Sequence, residues 1–224
     1  MSGARIADAF AFIRANTKIL SPPLIPEIRL HLAEESLAIW SKTEEELGAS
    51  GLPPPYWAFA WAGGQALGRY LLDNRDLVAG KPVLDLAAGC GLTAIAALKA
   101  GAANAIGNDI DAFAGAAMTL NAALNGVAIQ IQLGDLLAGP PYMDHVILVG
   151  DLFYEKPLAE RVLAWLLVCQ KAGATILTGD PQRTYFPKER FSQIAEYNVP
   201  VSRELEDAEI KRTAVWRLNQ ASVS

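Results

Sequence analysis

Pro82-Val83-Leu84-Asp85-Leu86-Ala87-Ala88-Gly89-Cys90-Gly91-Leu92 is a short apolar strand that passes directly into a turn of small residues. Small side chains let the backbone bend sharply and approach a ligand closely. The helix expected beyond the turn offers unpaired N–H groups at its start. An ordinary tight strand-to-helix turn accounts for this pattern, and a lone glycine pair does not displace that explanation. A nicotinamide-binding turn is the sharper rival, but it calls for three glycines in G-x-G-x-x-G. Here there are two, Gly89 and Gly91, and Asp85 would oppose a pyrophosphate. An acid at that position suits a ligand carrying an ammonium and a sulfonium.

Downstream of the turn, strand-like and helix-like segments alternate. Residues 93–99 form an alanine-rich helix, 105–108 a short strand, 112–124 a helix and 129–133 another strand. A strand over 145–149, a helix around 158–169 and a strand over 174–178 follow. Segments near Val199 and over 212–218 are placed to close the sheet as an antiparallel edge. Such alternation means right-handed crossovers and a mostly parallel sheet flanked by helices, an α/β fold of Rossmann-like type. Ligands in such sheets bind beyond the carboxyl ends of the strands, near the switch in strand order. Upstream, residues 62–73 read as a helix, and the Gly/Pro-rich stretch 48–55 as a joint. That joint divides a helical N-terminal extension, residues 1–50, from the main domain, residues 51–224. Within the extension, helices are expected over 6–15 and 26–40, the second starting at Pro26 and Glu27.

Composition narrows the function. A chain of 224 residues, 52% of them hydrophobic and 19% charged, can bury a large single core. A net charge of -5 provides no general attraction toward phosphate backbones, so nucleic acid is not the expected partner. Cys90 and Cys169 lie far apart, and neither has a Cys or His at ligand spacing, so no metal site and no disulfide framework are expected. His31 and His145 are equally isolated, His31 within the expected second helix. No apolar run reaches membrane-spanning length. The N-terminus lacks a signal-peptide core and carries an early acid, so the expected compartment is cytoplasmic.

Three acids follow three successive strands. Asp109, in Asn108-Asp109-Ile110-Asp111, lies twenty positions after Gly89, where a carboxylate reaches both hydroxyls of a ribose. That spacing does not separate NAD from S-adenosylmethionine. Asp111 is placed to cap the next helix. Asp135, in Gly134-Asp135-Leu136, can accept from an adenine amine while Leu136 packs on the ring, although Gly-Asp pairs also simply form turns. The stretch Gly150-Asp151-Leu152-Phe153-Tyr154 follows the apolar strand ending at Val149. A carboxylate and two aromatics there can hold an amine through hydrogen bonds and cation–π contact. Gly139-Pro140-Pro141-Tyr142 looks like the Asn-Pro-Pro-Tyr loop of amino-methylating nucleic-acid enzymes. It precedes the strand instead of following it and begins with Gly, so it reads as a turn.

Asp151-Leu152-Phe153-Tyr154 resembles the Asp/Glu-x-x-Tyr signature of the seven-strand protein lysine methyltransferases. Within that group the chain is most similar to the electron transfer flavoprotein beta subunit lysine methyltransferases. The likeness runs from about Thr17 to Leu218 and is most specific in Pro26-Glu27-Ile28-Arg29-Leu30-His31-Leu32 and in the run from Pro54 to Leu67, which includes Tyr56-Trp57 and Trp61-Ala62-Gly63-Gly64. The resemblance implies a seven-stranded sheet, S-adenosylmethionine as cofactor, and methylation of lysines on a flavoprotein subunit. It implies that Trp61, Ala87, Ala88, Gly89, Gly91, Asp109, Ile110, Leu136 and Gly150 border the cofactor, with Asp85 and Asp135 nearby. Ala87 departs from the family's usual glycine at the first position of the turn. Asp151 is expected to orient the lysine, with Phe153 and Tyr154 as its aromatic sleeve. A methyltransferase of a small-molecule amine, or a cofactor-binding protein without turnover, would share every cofactor motif.

Overall fold

The computed structural model describes residues 2–34, 54–201 and 209–220. Helix α1 (Ser2–Asn16) leads into a hairpin of β1 (Lys18–Leu20) and β2 (Leu30–Leu32). Helix α2 (Ala62–Asp73) precedes β3 (Pro82–Leu86), α3 (Leu92–Lys99), β4 (Asn104–Asp109), α4 (Ala112–Leu124) and β5 (Gln130–Leu133). Then come β6 (Val146–Gly150), α5 (Lys156–Lys171), β7 (Thr175–Asp180), β8 (Phe191–Pro200) and β9 (Ile210–Leu218).

Strands β3 to β9 form one seven-stranded sheet in the order β5-β4-β3-β6-β7-β9-β8. The first five pair in parallel, and β9 and β8 add an antiparallel edge. The sheet is thus Rossmann-like and mostly parallel, as the alternation of segments requires. The order reverses at β3, which lies between β4 and β6, so the crossovers diverge there and leave a crevice at the strand ends.

Both faces of the sheet are covered. Leu84, Leu86, Ile147 and Val149 point to one side and pack with Trp165 and Leu166 of α5 and Trp216 of β9. Val83, Leu148 and Leu177 point to the other and pack with Leu67 and Leu71 of α2 and Ala94 and Ala97 of α3. The near-continuous apolar sequence of β3 and β6 is what two-sided burial demands. On the cavity side of α4, Ala114 and Ala117 pack with Trp57, Phe59 and Ile13 of α1.

The helix expected over 26–40 does not form in its described part, and residues 35–40 lie outside the described residues. Leu30 and Leu32 are buried while His31 between them is half-buried, a period of two that belongs to a strand. The N–H groups there are taken by side chains: Arg29 donates to Asn125 Oδ1 and His31 to Asn121 Oδ1, at 3.1 and 2.7 Å. His31 therefore sits in β2, with Nδ1 3.2 Å from the Thr17 hydroxyl. Of the joint at 48–55, residues 48–53 also lie outside the described residues. Among the described residues no helix is long and apolar enough to cross a membrane.

Candidate active site

The carboxyl ends of β3, β4, β5 and β6 open into a cavity of about 650 Å³. That size suits a small-molecule site. The turn after β3 forms its floor. Ala87, Gly89 and Gly91 all have left-handed backbones, with φ of 54°, 52° and 79°. Glycine adopts that conformation freely, whereas at Ala87 it costs roughly 1–2 kcal/mol. Gly91 caps α3 and is not on the cavity wall; a Cβ there would meet Met118 Cγ at 3.0 Å. Its role is therefore conformational, where contact with a ligand was expected.

Asp85 reaches the cavity but is aimed at α3. Its Oδ2 accepts the N–H of Ala94 at 2.9 Å, and burial pushes its carboxyl up to about 7, against the hydrogen bonds from Thr93 and Ala94. The acid serves the start of the helix, a stronger local claim than the ligand contact expected of it. Cys90 is buried, and burial pushes its thiol up to about 12.

Asp109 ends β4 and is bound on both oxygens. Oδ2 accepts from Gly89 N–H and Oδ1 from Asp111 N–H, each at 3.0 Å. Burial raises its pKa and these backbone N–H groups oppose the rise. Asp111 caps α4, accepting from Phe113 N–H at 2.8 Å. Asn108 ties β4 to the next strand end, its amide donating to the Gln132 and Gly134 carbonyls. Ile110 and Leu136 supply apolar wall, Ile110 being 75% exposed. Asp135 is half-exposed and ion-paired with Arg161 of α5, which holds its carboxyl below the usual range.

At the other end of the cavity stands Asp151, just past β6, only 8% exposed and with φ of 54°. Oδ2 accepts the N–H of Gly64, the third residue of α2, at 3.1 Å. That N–H is one of the helix's unpaired donors, and the helix dipole favours an anion there. Gly63 allows the approach: a Cβ on it would collide with the Gly179 carbonyl and the Asp151 carboxylate. Gly150 likewise lies with Gly64 Cα 3.3 Å from where its own Cβ would stand. The other oxygen of Asp151 receives Nε and Nη2 of Arg183 at 3.1 and 2.6 Å.

Aromatic rings line the mouth beside Asp151. Tyr154 and Tyr56 are 39% and 41% exposed, with ring centroids 5.8 Å apart. Trp61 meets Tyr56 at 6.0 Å and Phe59 at 5.9 Å, and its indole N–H donates to the Tyr56 carbonyl. Burial pushes the Tyr154 phenol up to about 12, so it stays a neutral donor. Phe153 is not part of this wall. It is fully buried and packs edge-on against Phe186 and Phe191, at 5.3 and 6.2 Å. Leu152 and Tyr154 reach the cavity wall, Leu152 also packing in the core, whereas Phe153 lies in the core alone. Tyr56 and Trp61 take the place expected of Phe153.

Tyr142 of the Pro-Pro-Tyr stretch is remote from the cavity, packed against Trp165 and His145. Among the described residues no group of three or more His, Cys, Asp or Glu is placed to hold a metal ion. The arrangement gathers acids and aromatics, and both nearby arginines are engaged by carboxylates. It is chemistry for a cationic or amine-bearing ligand and unsuited to a phosphate.

The family profile described as Ribosomal protein L11 methyltransferase (PrmA) matches residues 66–152, from α2 to the end of the Gly150-Asp151-Leu152 stretch. The chain is 41% identical over 213 residues to the electron transfer flavoprotein beta subunit lysine methyltransferase of Rattus norvegicus, covering 92% of this chain and 82% of that protein. With the Homo sapiens protein of the same name it shares 39% identity over 213 residues, 92% of this chain and 80% of that one. Among solved structures, a Thermoplasma acidophilum protein superposes with a TM-score of 0.54 at 15% identity, over 70% of this chain and 90% of that one. A proposed RNA methyltransferase of Pyrococcus horikoshii gives 0.52 at 16%, over 81% and 98%. These two likenesses concern the fold.

Proposed function

The chain belongs to the electron transfer flavoprotein beta subunit lysine methyltransferases, and from that membership we propose that it moves a methyl group from S-adenosylmethionine to a lysine amine of that flavoprotein subunit. The observation that carries the reading is one cavity with two differently built ends. A left-handed turn and the bound carboxylate of Asp109 lie at one end, and Asp151 with Tyr56, Trp61 and Tyr154 at the other.

The donor set fits the cofactor. Asp109 would take the ribose hydroxyls, held in place by Gly89 N–H. Ile110 and Leu136 would flank the adenine, and Asp135 is at hand for its amine once it shares Arg161. The backbone of Ala87, Ala88 and Gly89, with Trp61 and Gly150, would border the amino-acid portion. When bound, S-adenosylmethionine would supply an activated methyl on a positively charged sulfur, which would keep the C–S bonding pair as the amine lone pair formed the N–C bond.

The protein's own part is positioning and dehydration. Asp151, fixed by Gly64 and Arg183, accepts a hydrogen bond from the amine and sets its direction. Tyr154, Tyr56 and Trp61 form the walls that keep water from the nitrogen. The lysine ammonium gives up its proton to solvent at the open mouth before attack, because only the neutral amine has a lone pair. The test is incubation with methyl-labelled cofactor of the flavoprotein subunit, RNA and small amines, each alone. Label in the subunit is expected; label in RNA or the small amines alone contradicts the substrate assignment.

A further inference from the structure

Arg183 comes from the turn after β7, and that turn is shaped to deliver it. Asp180 Oδ1 accepts the backbone N–H of Arg183 at 2.7 Å, and Gln182 adopts a left-handed φ of 63°. The side chain then crosses to Asp151, placing two N–H groups on one oxygen. Its guanidinium carbon also lies 5.7 Å from the centroid of Trp61. A carboxylate and an aromatic face are the two partners that the proposed function gives to the acceptor amine. A permanent cation already stands between them.

We infer that Arg183 is a positioning residue that acts on the acceptor through Asp151, its fixed positive charge keeping the incoming lysine amine in the neutral, attacking form. This rests on the methyltransferase reading above. A bare carboxylate beside an amine stabilises the ammonium and raises its pKa, whereas a neighbouring cation lowers it. Paired with Arg183, Asp151 keeps its hydrogen-bonding oxygens, but the pair has no net charge. The amine is oriented without being locked in its unreactive form. Arginine is suited to this because it stays charged at any working pH and grips a carboxylate with a planar fork.

Among the described residues, few other charged and titratable groups surround this point. Asp180 is fully buried beneath the turn, its Oδ2 without a hydrogen-bond partner among the described residues; burial first, then Asp151, pushes it up to about 7. The raised value weakens its negative charge next to Arg183. Tyr154 is neutral. Tyr56 and Glu155 stand at the mouth, and these two and Asp109 are all near enough to help burial raise the Tyr154 phenol. Lys188 points away, over the Trp216 ring at 5.8 Å.

The experiment follows methyl transfer at saturating flavoprotein subunit, where the profile reports the bound amine, against pH in the wild-type protein, Arg183→Gln and Arg183→Lys. The Gln change should move the rising limb upward by about 1 pH unit or more, an activity loss of about tenfold at neutrality that recovers in alkali. The Lys change should leave the limb within a few tenths of a unit, since the charge remains. Affinity for S-adenosylhomocysteine, read by calorimetry, should stay within about threefold in both. Equal loss at every pH with an unmoved limb, or a limb moved downward, overturns the inference and leaves the methyltransferase reading intact. Wild-type protein that labels no lysine overturns that reading itself. If Arg183→Gln does not fold, Arg183→Met is the neutral variant. The wild-type limb also bears on the claim, since a midpoint at or above the value of free lysine, about 10.4, overturns it.

Discussion

The N–H of Gly89 donates to Oδ2 of Asp109 across 3.0 Å, so the turn after β3 and the acid after β4 hold each other in place. Replacing Asp109 with Ala removes both a ligand partner and a brace of the turn. Affinity for S-adenosylhomocysteine should fall by about 1.5–3 kcal/mol, roughly ten- to hundredfold. Titration calorimetry measures it, and unchanged affinity would remove Asp109 from the cofactor site.

Asp151→Asn separates charge from shape. Asparagine tolerates the left-handed backbone and can still accept from Gly64, but it removes the carboxylate that pairs with Arg183. Methyl transfer should drop by at least about tenfold, the cost of one charge-assisted hydrogen bond, while S-adenosylhomocysteine affinity stays within a few-fold. Joint collapse of both would move Asp151 into the cofactor shell.

Gly63→Ala tests the packing that brings α2 to the acceptor site. The new Cβ collides with the Gly179 carbonyl and the Asp151 carboxylate, neither of which is the loose end of a long side chain. Stability should fall by about 1–3 kcal/mol, and transfer should fall further than stability explains. Thermal melting and rates at low temperature separate the two. A variant as stable and active as wild type would mean that this close approach is not needed.

Asp85 makes a pH-dependent contribution with an unusual sign. Its carboxyl rises from an ordinary value of 3.8 to about 7 on folding. Between those pH values the native state keeps a proton that the unfolded chain has lost, so this group's stabilisation is lost as pH rises from about 4 to 7. Asp85→Asn has no such proton and can still accept from Ala94. The melting temperature of the variant minus that of wild type should therefore grow across that window and level off above it. A difference that is flat with pH contradicts the buried, proton-holding acid.

Much of this was legible because local chemistry decides it. The apolar run of β3, the small turn and the Asp111 cap are each set by neighbours in sequence, and α4 begins and ends where its pattern does. Asp109 was legible by its distance from the turn. Arg183 was not, because it lies thirty-two positions beyond its partner and reaches Asp151 only through the pairing of β6 with β7. That Phe153 is core while Tyr56 and Trp61 line the mouth was not legible for a related reason. The Asp-x-x-Tyr spacing does not say which of its side chains enters the core, whereas the buried cluster of Phe186 and Phe191 does. Residues 26–34 have helix-forming composition, yet Asn121 of α4 and Asn125 just past its end capture the N–H groups of His31 and Arg29 and hold this stretch out of a helix.

The central claim is that the acceptor nitrogen belongs to a lysine of the electron transfer flavoprotein beta subunit. Purified subunit, treated with the protein and isotopically labelled S-adenosylmethionine, should yield lysine peptides carrying labelled methyl groups by mass spectrometry. The rate should rise from mildly acidic to mildly alkaline pH, because only about one lysine in a few thousand is neutral at pH 7. Label on any other residue type, or a subunit left unlabelled while a small amine or RNA takes the methyl, would contradict the account.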